Sequence, residues 1–494
     1  MCLAIKVFFA ALVLFSVSCA KQNTDTIKFG LSTAPVTLDP RYATDAVSER
    51  INRLLYARLV DFDENYNMVP QLADWKILTP VHYRFSLGKN NRQFDNGDYL
   101  TAEDVKKTYE SVLDQKNVSP QRSTLKNIEK MKAIDSDTID FYLHTADPLF
   151  PGRLAIGILP AKLIALNHPF QTSPVGSGPM KFIKWPVEDH LYLKRVSDGQ
   201  VFEFITVKDS TVRALKLVRG EIDMIQGDLP FELLDWLRNK KSISVDEAEG
   251  STYTYIGFNM QDPDLSDLNV RRAIACAIDR DAIIKNVLGN AARKAGTILP
   301  AEHWAANSEL TGYDYDPEKS QELLKQSGYS DKKRLKLTYK TSNNPLRVRI
   351  ATIIQYQLRQ VGIDVDVQSY DWGTFYGDIK EGRFQMYTLS WVGLNMPDIF
   401  RYAFYSTSIP PSGANRGHYD DPYVDGLIEK AENETDLEKQ AAIYRKLQVR
   451  LQDQLPSVSL WYEDNMLARR KDIRGYTLSI NGDYDGLIQV KRIH

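Results

Sequence analysis

Leu335-Lys-Leu-Thr-Tyr-Lys340, Ser342-Asn-Asn-Pro345, Ile363-Asp-Val-Asp-Val-Gln-Ser-Tyr370 and Phe384-Gln-Met-Tyr-Thr-Leu-Ser-Trp391 decide the fold class of this chain. The first, third and fourth segments carry apolar, β-branched and aromatic residues in strand-like runs. Ser342 to Pro345 opens a helix that the pattern carries to about Val361, with Gly362 as its stop signal. A second, shorter helix spans residues 372–380. The order β-α-β-α-β places helices against a sheet, which is an α/β domain.

Outward from this segment, strand and helix patterns keep alternating. Residues 27–31, 139–143 and 191–196 read as strands. Thr101-Ala-Glu-Asp104 opens a helix, with Thr101 as cap and Asp104 near the positive end of the dipole. Residues 252–259 alternate aromatic and polar side chains, as a half-buried strand does. Residues 269–288 form one strong helical pattern, and 437–454 another. Strands near 458–462 and 476–480 close the chain. No repeat and no low-complexity linker separates these pieces, so the chain passes between lobes more than once, a hinge architecture. A length of 494 residues implies two or three domains.

Composition excludes several classes. With 62 basic and 64 acidic residues, nothing singles out nucleic acid as a partner. At 43% hydrophobic and 26% charged, the chain is globular. The first nineteen residues differ from the rest. Lys6 precedes the apolar run Val7 to Phe15, followed by Ser16-Val17-Ser18-Cys19. A run this short fits a secretory signal and not a membrane span, which needs about 20 residues. Residues 1–18 are therefore read as a signal peptide. Cys19 resembles the acylated cysteine of a bacterial lipobox, although Ser16 stands where that motif prefers Leu. The alternative is plain cleavage near Ser18. Of the remaining cysteines only Cys276 lies in the body of the chain, so no internal disulfide forms, and its apolar surroundings mark it as a buried side chain.

Catalytic motifs are thin. There is no His-Glu-x-x-His and no Gly-x-Ser-x-Gly, and Gly176-Ser177-Gly178 lacks the rest of a dinucleotide or P-loop signature. The seven histidines are scattered, with no pair at ligand spacing. No metal site, cofactor or enzyme activity is expected. Tyrosine numbers 26, and Tyr253, Tyr255, Trp372, Trp391, Tyr402, Tyr405 and Tyr419 crowd the second half. Aromatic-lined clefts suit small-ligand capture, and about a third of these seven are expected in one.

An ordered series of fragments then resembles extracellular solute-binding proteins of family 5, which includes the dipeptide-, oligopeptide- and nickel-binding components of ABC importers. The fragments are Thr37-Leu-Asp-Pro40, Leu54-Leu-Tyr-Ala-Arg-Leu-Val60, Pro70-Gln-Leu-Ala-Asp-Trp75, Phe94-Asp-Asn-Gly97, Leu100-Thr-Ala-Glu-Asp-Val105, Pro174-Val-Gly-Ser-Gly-Pro179, Tyr255-Ile-Gly-Phe-Asn259, Val270-Arg-Arg-Ala-Ile274, Ala277-Ile-Asp-Arg280 and Tyr315-Asp-Pro-Glu-Lys319. The resemblance implies a periplasmic-binding-protein type II fold. Two lobes surround a hinge, and an additional α/β domain sits on the first lobe. Residues 26–50, 169–262 and 475–494 would form lobe I, 51–168 the extra domain and 263–474 lobe II. Gly176 and Gly178 would serve positive φ or close backbone approach.

By the same resemblance, ligand contacts fall on Thr44, Asp45 and Ala46 from lobe I. Tyr255 and Asn259 join them there, and from lobe II come Trp391, Val392, Gly393, Leu394, Asn395, Asn415 and Arg416. One departure stands out. Peptide binders of this family carry a carboxylate three places after the tryptophan, pairing with the ligand's ammonium; here that place is Leu394. Oligopeptide binders carry an Arg three places before it; here that place is Thr388. Either Asp398 or Asp45 supplies the missing charge, or the ligand is no simple dipeptide. Arg416 would suit a carboxylate or phosphate. The expected protein is a monomeric, non-catalytic solute receptor. It captures a small peptide-like solute and delivers it to an ABC permease with its ATPase. It is tethered in the cell envelope, periplasmic or at the cell surface, through lipid on Cys19. A nickel chelate, sugar or opine ligand, or a signalling receptor on the same fold, are the alternatives.

Overall fold

Two unusually long strands organise the molecule. A computed structural model describes residues 26–493 apart from Asn91 and Glu188, so the expected signal peptide and Cys19 lie outside the described residues. The strand Ile243–Phe258 has 16 residues and Ser457–Arg470 has 14, against about five or six in an ordinary strand. They pair antiparallel from Ile243↔Arg470 to Gly257↔Ser457. Among the described residues they sit inside one 11-stranded sheet.

Each end of this pair belongs to a different half of the sheet. Met224–Gln226 pairs with Ser457–Arg470 near Arg469, and beyond it lie Ile27–Leu31, Val201–Thr206, His190–Arg195 and Met180–Val187. At the opposite end Met386–Trp391 pairs with residues 253–258, and beyond it lie Leu335–Ser342 and Ile363–Tyr370. Between the halves the ladder shifts register at Ala248/Thr252. Gly250 sits in that bulge. A Cβ there would lie 2.1 Å from the Glu463 carbonyl oxygen, so the crossing admits only glycine.

Helices bury both faces of each half. One core joins Phe29, Leu54, Tyr56, Phe204 and Leu487 in the first lobe. Two more, centred on Trp461 with Ile274, and on Tyr255 with Tyr444, fill the second. The extra domain has its own core and a four-stranded antiparallel sheet of Ala73–Thr79, His82–Leu87, Thr138–Leu143 and Ile128–Ala133. Its helix Ala102–Leu113 starts as the motif predicts, with Thr101 N donating to Asp104 Oδ2 at 2.7 Å. The structure is thus a hinged, two-lobed α/β protein with an extra α/β domain.

Several boundaries differ from the sequence reading. The extra domain's core runs from Ala57 to Ile158, and residue 51 lies inside the helix Ala46–Leu55, whose Leu54 and Leu55 pack in the first lobe. The chain crosses between lobes at residues 249–251 and again at 463–465, inside continuous strands, rather than at 262 and 474. The helical pattern over 269–288 splits into Leu268–Cys276 and Arg280–Asn286, because Asp279 caps the second by accepting from Ala282 N. Residues 476–480 form no strand; the Ile480 carbonyl instead accepts from Ser251 N and Asn465 Nδ2. Gly176 comes within 1.9 Å of the Leu55 carbonyl oxygen when given a Cβ, which is close approach and not positive φ. Cys276 is buried.

Candidate functional site

The two half-sheets run toward each other, so their carboxyl ends meet. Leu335–Ser342 runs parallel to Ile363–Tyr370 and Met386–Trp391, and Ile27–Leu31 runs parallel to Val201–Thr206 and Met224–Gln226. The registers Tyr253↔Trp391 and Gln226↔Leu467 place the carboxyl ends of both sets beside the strand crossing. Loops and helix N-termini gather there, at the carboxyl edges where open α/β sheets hold their ligands. From the first lobe come Ser32, Asp45, Asp228 and the segment 479–485. From the second come Arg347, Trp372 and the loop 392–398.

The floor of this cleft is a charge network on the crossing strand. Arg347 Nη1 and Nη2 donate to Glu463 Oε1 and Oε2 at 2.5 and 3.0 Å. Thr254 Oγ1 adds a 2.8 Å bond to the same carboxylate and shares one with Ser390 Oγ at 2.7 Å. Burial pushes the Glu463 carboxyl up, but Arg347 and these donors outweigh it and hold the carboxyl below its ordinary value. Asp228 of the facing lobe adds its charge to the field at Arg347. Asp228 has φ 52°, a left-handed conformation that a non-glycine residue keeps only when its surroundings impose it; here Arg213 Nη2 donates to its carbonyl at 2.5 Å.

On the other face of the sheet, where Tyr255 points away from Thr254, an aromatic recess of about 30 Å³ with Arg416 in its wall runs from Trp391 and Tyr255 to Phe258 and Ser457. Arg416 is 6% exposed. Its Nη1 donates to Tyr255 OH at 3.0 Å and Nη2 to Tyr376 OH at 3.4 Å. It packs 5.0 Å from the Trp391 ring centre and 5.6 Å from that of Tyr376. Burial opposes its charge, yet the surrounding phenols Tyr255, Tyr387 and Tyr376 raise its pKa. The Tyr255 phenol is itself pushed up by burial. Trp372, Val392 and Tyr402 stand exposed at 58%, 42% and 42%, so apolar surface faces solvent on this part of the lobe.

The structure sorts the predicted residues. Tyr255, Trp391 and Arg416 come together in the recess. Asn415 is buried and holds their loop, with Nδ2 donating to Tyr419 O at 2.7 Å and Oδ1 accepting from Tyr419 N. Val392 and Gly393 are exposed beside Trp391. Leu394 is 7% exposed and belongs to the second lobe's core, so its side chain faces away from the cleft. Asn395 reaches the first lobe, its Oδ1 accepting from Asn481 Nδ2 at 2.8 Å. Asn259 is a correction: it lies at the far end of its strand, about 20 Å from Tyr253 at a rise of about 3.3 Å per residue. There it donates to Phe384 O at 3.0 Å and staples a turn. The motif that named it specifies the fold.

On the first lobe, Asp45 caps the helix Ala46–Leu55 by accepting from Ser48 N, while its Oδ2 is buried without a hydrogen-bond partner. Thr44 is exposed and Ala46 half-buried. Glu49, one turn on, is open to solvent; crowding by protein and the Asp45 charge push its carboxyl up to about 7. Asp398 is committed elsewhere, paired at 2.8 Å with Arg153 of the extra domain. Thr388 faces inward and shares a hydrogen bond with Tyr339 OH. Sequence reasoning missed Arg347, Glu463, Tyr376, Tyr387 and Asp228. Arg347 and Tyr376 follow strand ends by five or six residues, a signal that strand assignment alone could have supplied.

Further contacts span the cleft. Arg349 pairs with Glu232 at 2.5 Å, and Tyr66 of the extra domain meets His303 ring to ring at 5.0 Å. Burial lowers His303 to about 4, so that contact is neutral at physiological pH. Among the described residues no group of three metal-binding side chains occurs, and no helix is long and apolar enough to cross a membrane.

The family model described as bacterial extracellular solute-binding proteins, family 5 Middle, matches residues 67–411. The dipeptide-binding protein of Escherichia coli (strain K12) is 25% identical, with 94% of each chain covered. NikZ from Campylobacter jejuni, solved with Ni(L-His), is 26% identical over 95% of this chain and 99% of that one, with a TM-score of 0.83. DppA from Helicobacter pylori, solved with the peptide STSA, is 26% identical over 94% and 98%, also with a TM-score of 0.83.

Proposed function

The chain belongs to the bacterial extracellular solute-binding proteins, family 5, and from that premise we propose that it is the solute receptor of an ABC importer. It captures a small peptide-like solute between its lobes and presents it to a membrane permease with its ATPase. The carrying observation is that both half-sheets turn their carboxyl ends to one double-strand crossing. A solute bound there touches both lobes when they close and one lobe when they open. That difference in contacts is the free energy that drives closure.

The role is transport and not catalysis. Lipid on Cys19 would keep the receptor, a monomer, in the cell envelope beside its permease. Leu394 favours a second reading of the ligand. Its burial in the core leaves the usual ammonium anchor without a carboxylate, and Asp398 is held by Arg153. This supports a solute that does not depend on a free α-amine, such as a blocked peptide, a nickel chelate, a sugar or an opine.

The test is mass spectrometry of solutes released from natively purified protein, followed by small-angle scattering with the released solute added back. A retained small molecule and a smaller radius of gyration on rebinding are expected. A chain that retains no solute, and whose radius no solute changes, would remove the proposal.

A further inference from the structure

Seven arginines are buried among the described residues. Arg58, Arg92 and Arg195 each donate to a carboxylate. Arg213, Arg271 and Arg280 each donate to backbone carbonyls. Arg416 does neither, and donates to two phenol oxygens. A buried charge is normally paired, because taking it out of water without a counter-charge costs several kcal/mol. The other arginine on this edge of the lobe, Arg347, is already forked onto Glu463.

From this we infer that the captured solute carries a carboxylate, and that Arg416 with Tyr255 and Tyr376 is the socket that receives it. The inference rests on the solute-binding reading above and narrows its ligand class. Chemistry supports the three residues acting together. A phenol oxygen that accepts from a guanidinium keeps its own proton to donate. Tyr376 can therefore turn its O–H group to the anion that Arg416 neutralises, and Tyr255 does so by giving up its 3.4 Å contact with Tyr387 OH, which gives charge-assisted bonds from three side chains. Size agrees as well. The recess holds about 30 Å³, room for one or two water-sized groups and not for a ring. The body of the solute then lies outside the recess, against Trp391, Tyr402 and Trp372. A carboxylate attached to a flat apolar group fits this arrangement.

Two pairs of probes test it on the solute-stripped full chain by titration calorimetry. They are 3-phenylpropionate with its amide, and the dipeptide Ala-Phe with its C-terminal amide. The acid of at least one pair is expected to bind on the order of 10- to 100-fold more tightly than its amide, the cost of losing hydrogen bonds to a charged group. The pair that discriminates tells a free aryl acid from a peptide terminus. Arg416→Lys, which keeps the charge and loses the fork, should erase most of that ratio, and circular dichroism checks that it folds. Equal binding of acid and amide by the wild-type chain overturns the inference and leaves solute capture standing. So does an unchanged ratio in the folded variant. Failure of all four probes, with a neutral solute found bound after purification, also overturns it. If all four fail and no solute co-purifies, solute capture fails with it.

Discussion

Glu463→Gln perturbs the cleft floor at one atom. The carboxylate accepts both arms of the Arg347 fork and the Thr254 hydroxyl. Glutamine keeps one acceptor oxygen and turns an amide donor toward Arg347, so one arm loses its partner. Hydrogen bonds to charged groups are worth about 1.5–3 kcal/mol each. The two side chains are 26% and 23% exposed, so water recovers part of the loss and about 2 kcal/mol remains. For a lobe of this size that is a fall of about 4–8 °C in melting temperature, read by calorimetry near neutral pH. The pH dependence has a definite sign. The folded carboxyl lies below its ordinary value of 4.5, so its contribution is full above that value and is lost as pH falls through the folded pKa. The variant should lose this acid-side term. Replacing both partners, Arg347→Met with Glu463→Leu, should recover to within about 1 kcal/mol of wild type, since apolar isosteres often match a buried ion pair. A single variant melting within about 1 °C of wild type would refute the reasoning. So would a double variant no more stable than the single one.

Three further outcomes follow from the same geometry. Glu49 has a folded carboxyl raised to about 7, above its unfolded value. Its ionisation therefore lowers stability as pH rises from about 4.5 to about 7, and Glu49→Gln should flatten the melting curve's pH slope in that window. Asp398→Asn loosens the link between the extra domain and the second lobe while Arg153 keeps Asp147 at 2.6 Å. About 1–2 kcal/mol of closure energy is lost, seen as roughly tenfold weaker solute binding with fold intact by circular dichroism; unchanged affinity would show that the pair plays no part in closure. Gly176→Ala drives a methyl into the Leu55 carbonyl and should cost about 3 kcal/mol or more, seen as poor expression or a melting temperature lowered by several degrees.

Much of the second lobe was legible because its strands and helices carry strong local signals. Asn344 and Pro345 start a helix wherever they stand before an amphipathic run, and the structure begins one at Pro345. The lobe crossings were not legible. They sit inside Ile243–Phe258 and Ser457–Arg470, where the chain stays extended and no proline or linker marks the change of lobe. Only pairing partners far away in sequence define them. The recess was half legible. Trp391 and Arg416 lie on recognisable motifs, whereas Tyr376 joins them by packing of the helix Trp372–Lys380, and Glu463 meets Arg347 across 116 residues. Asn259 shows the reverse error: a fragment shared with a family marks the fold as readily as the ligand.

The long strand Ser457–Arg470 has a consequence for synthesis. It pairs with the first lobe's Met224–Gln226 and with the strand Ile243–Phe258 that enters the second. The two half-sheets are joined only through it, although it comes from the last tenth of the chain, and its residues also complete the cores of both lobes. A nascent polypeptide can close the extra domain early, since its core ends at Ile158, but both lobes must wait for the final strand. The order of the chain thus keeps the two lobes from completing their shared sheet until translation is almost over.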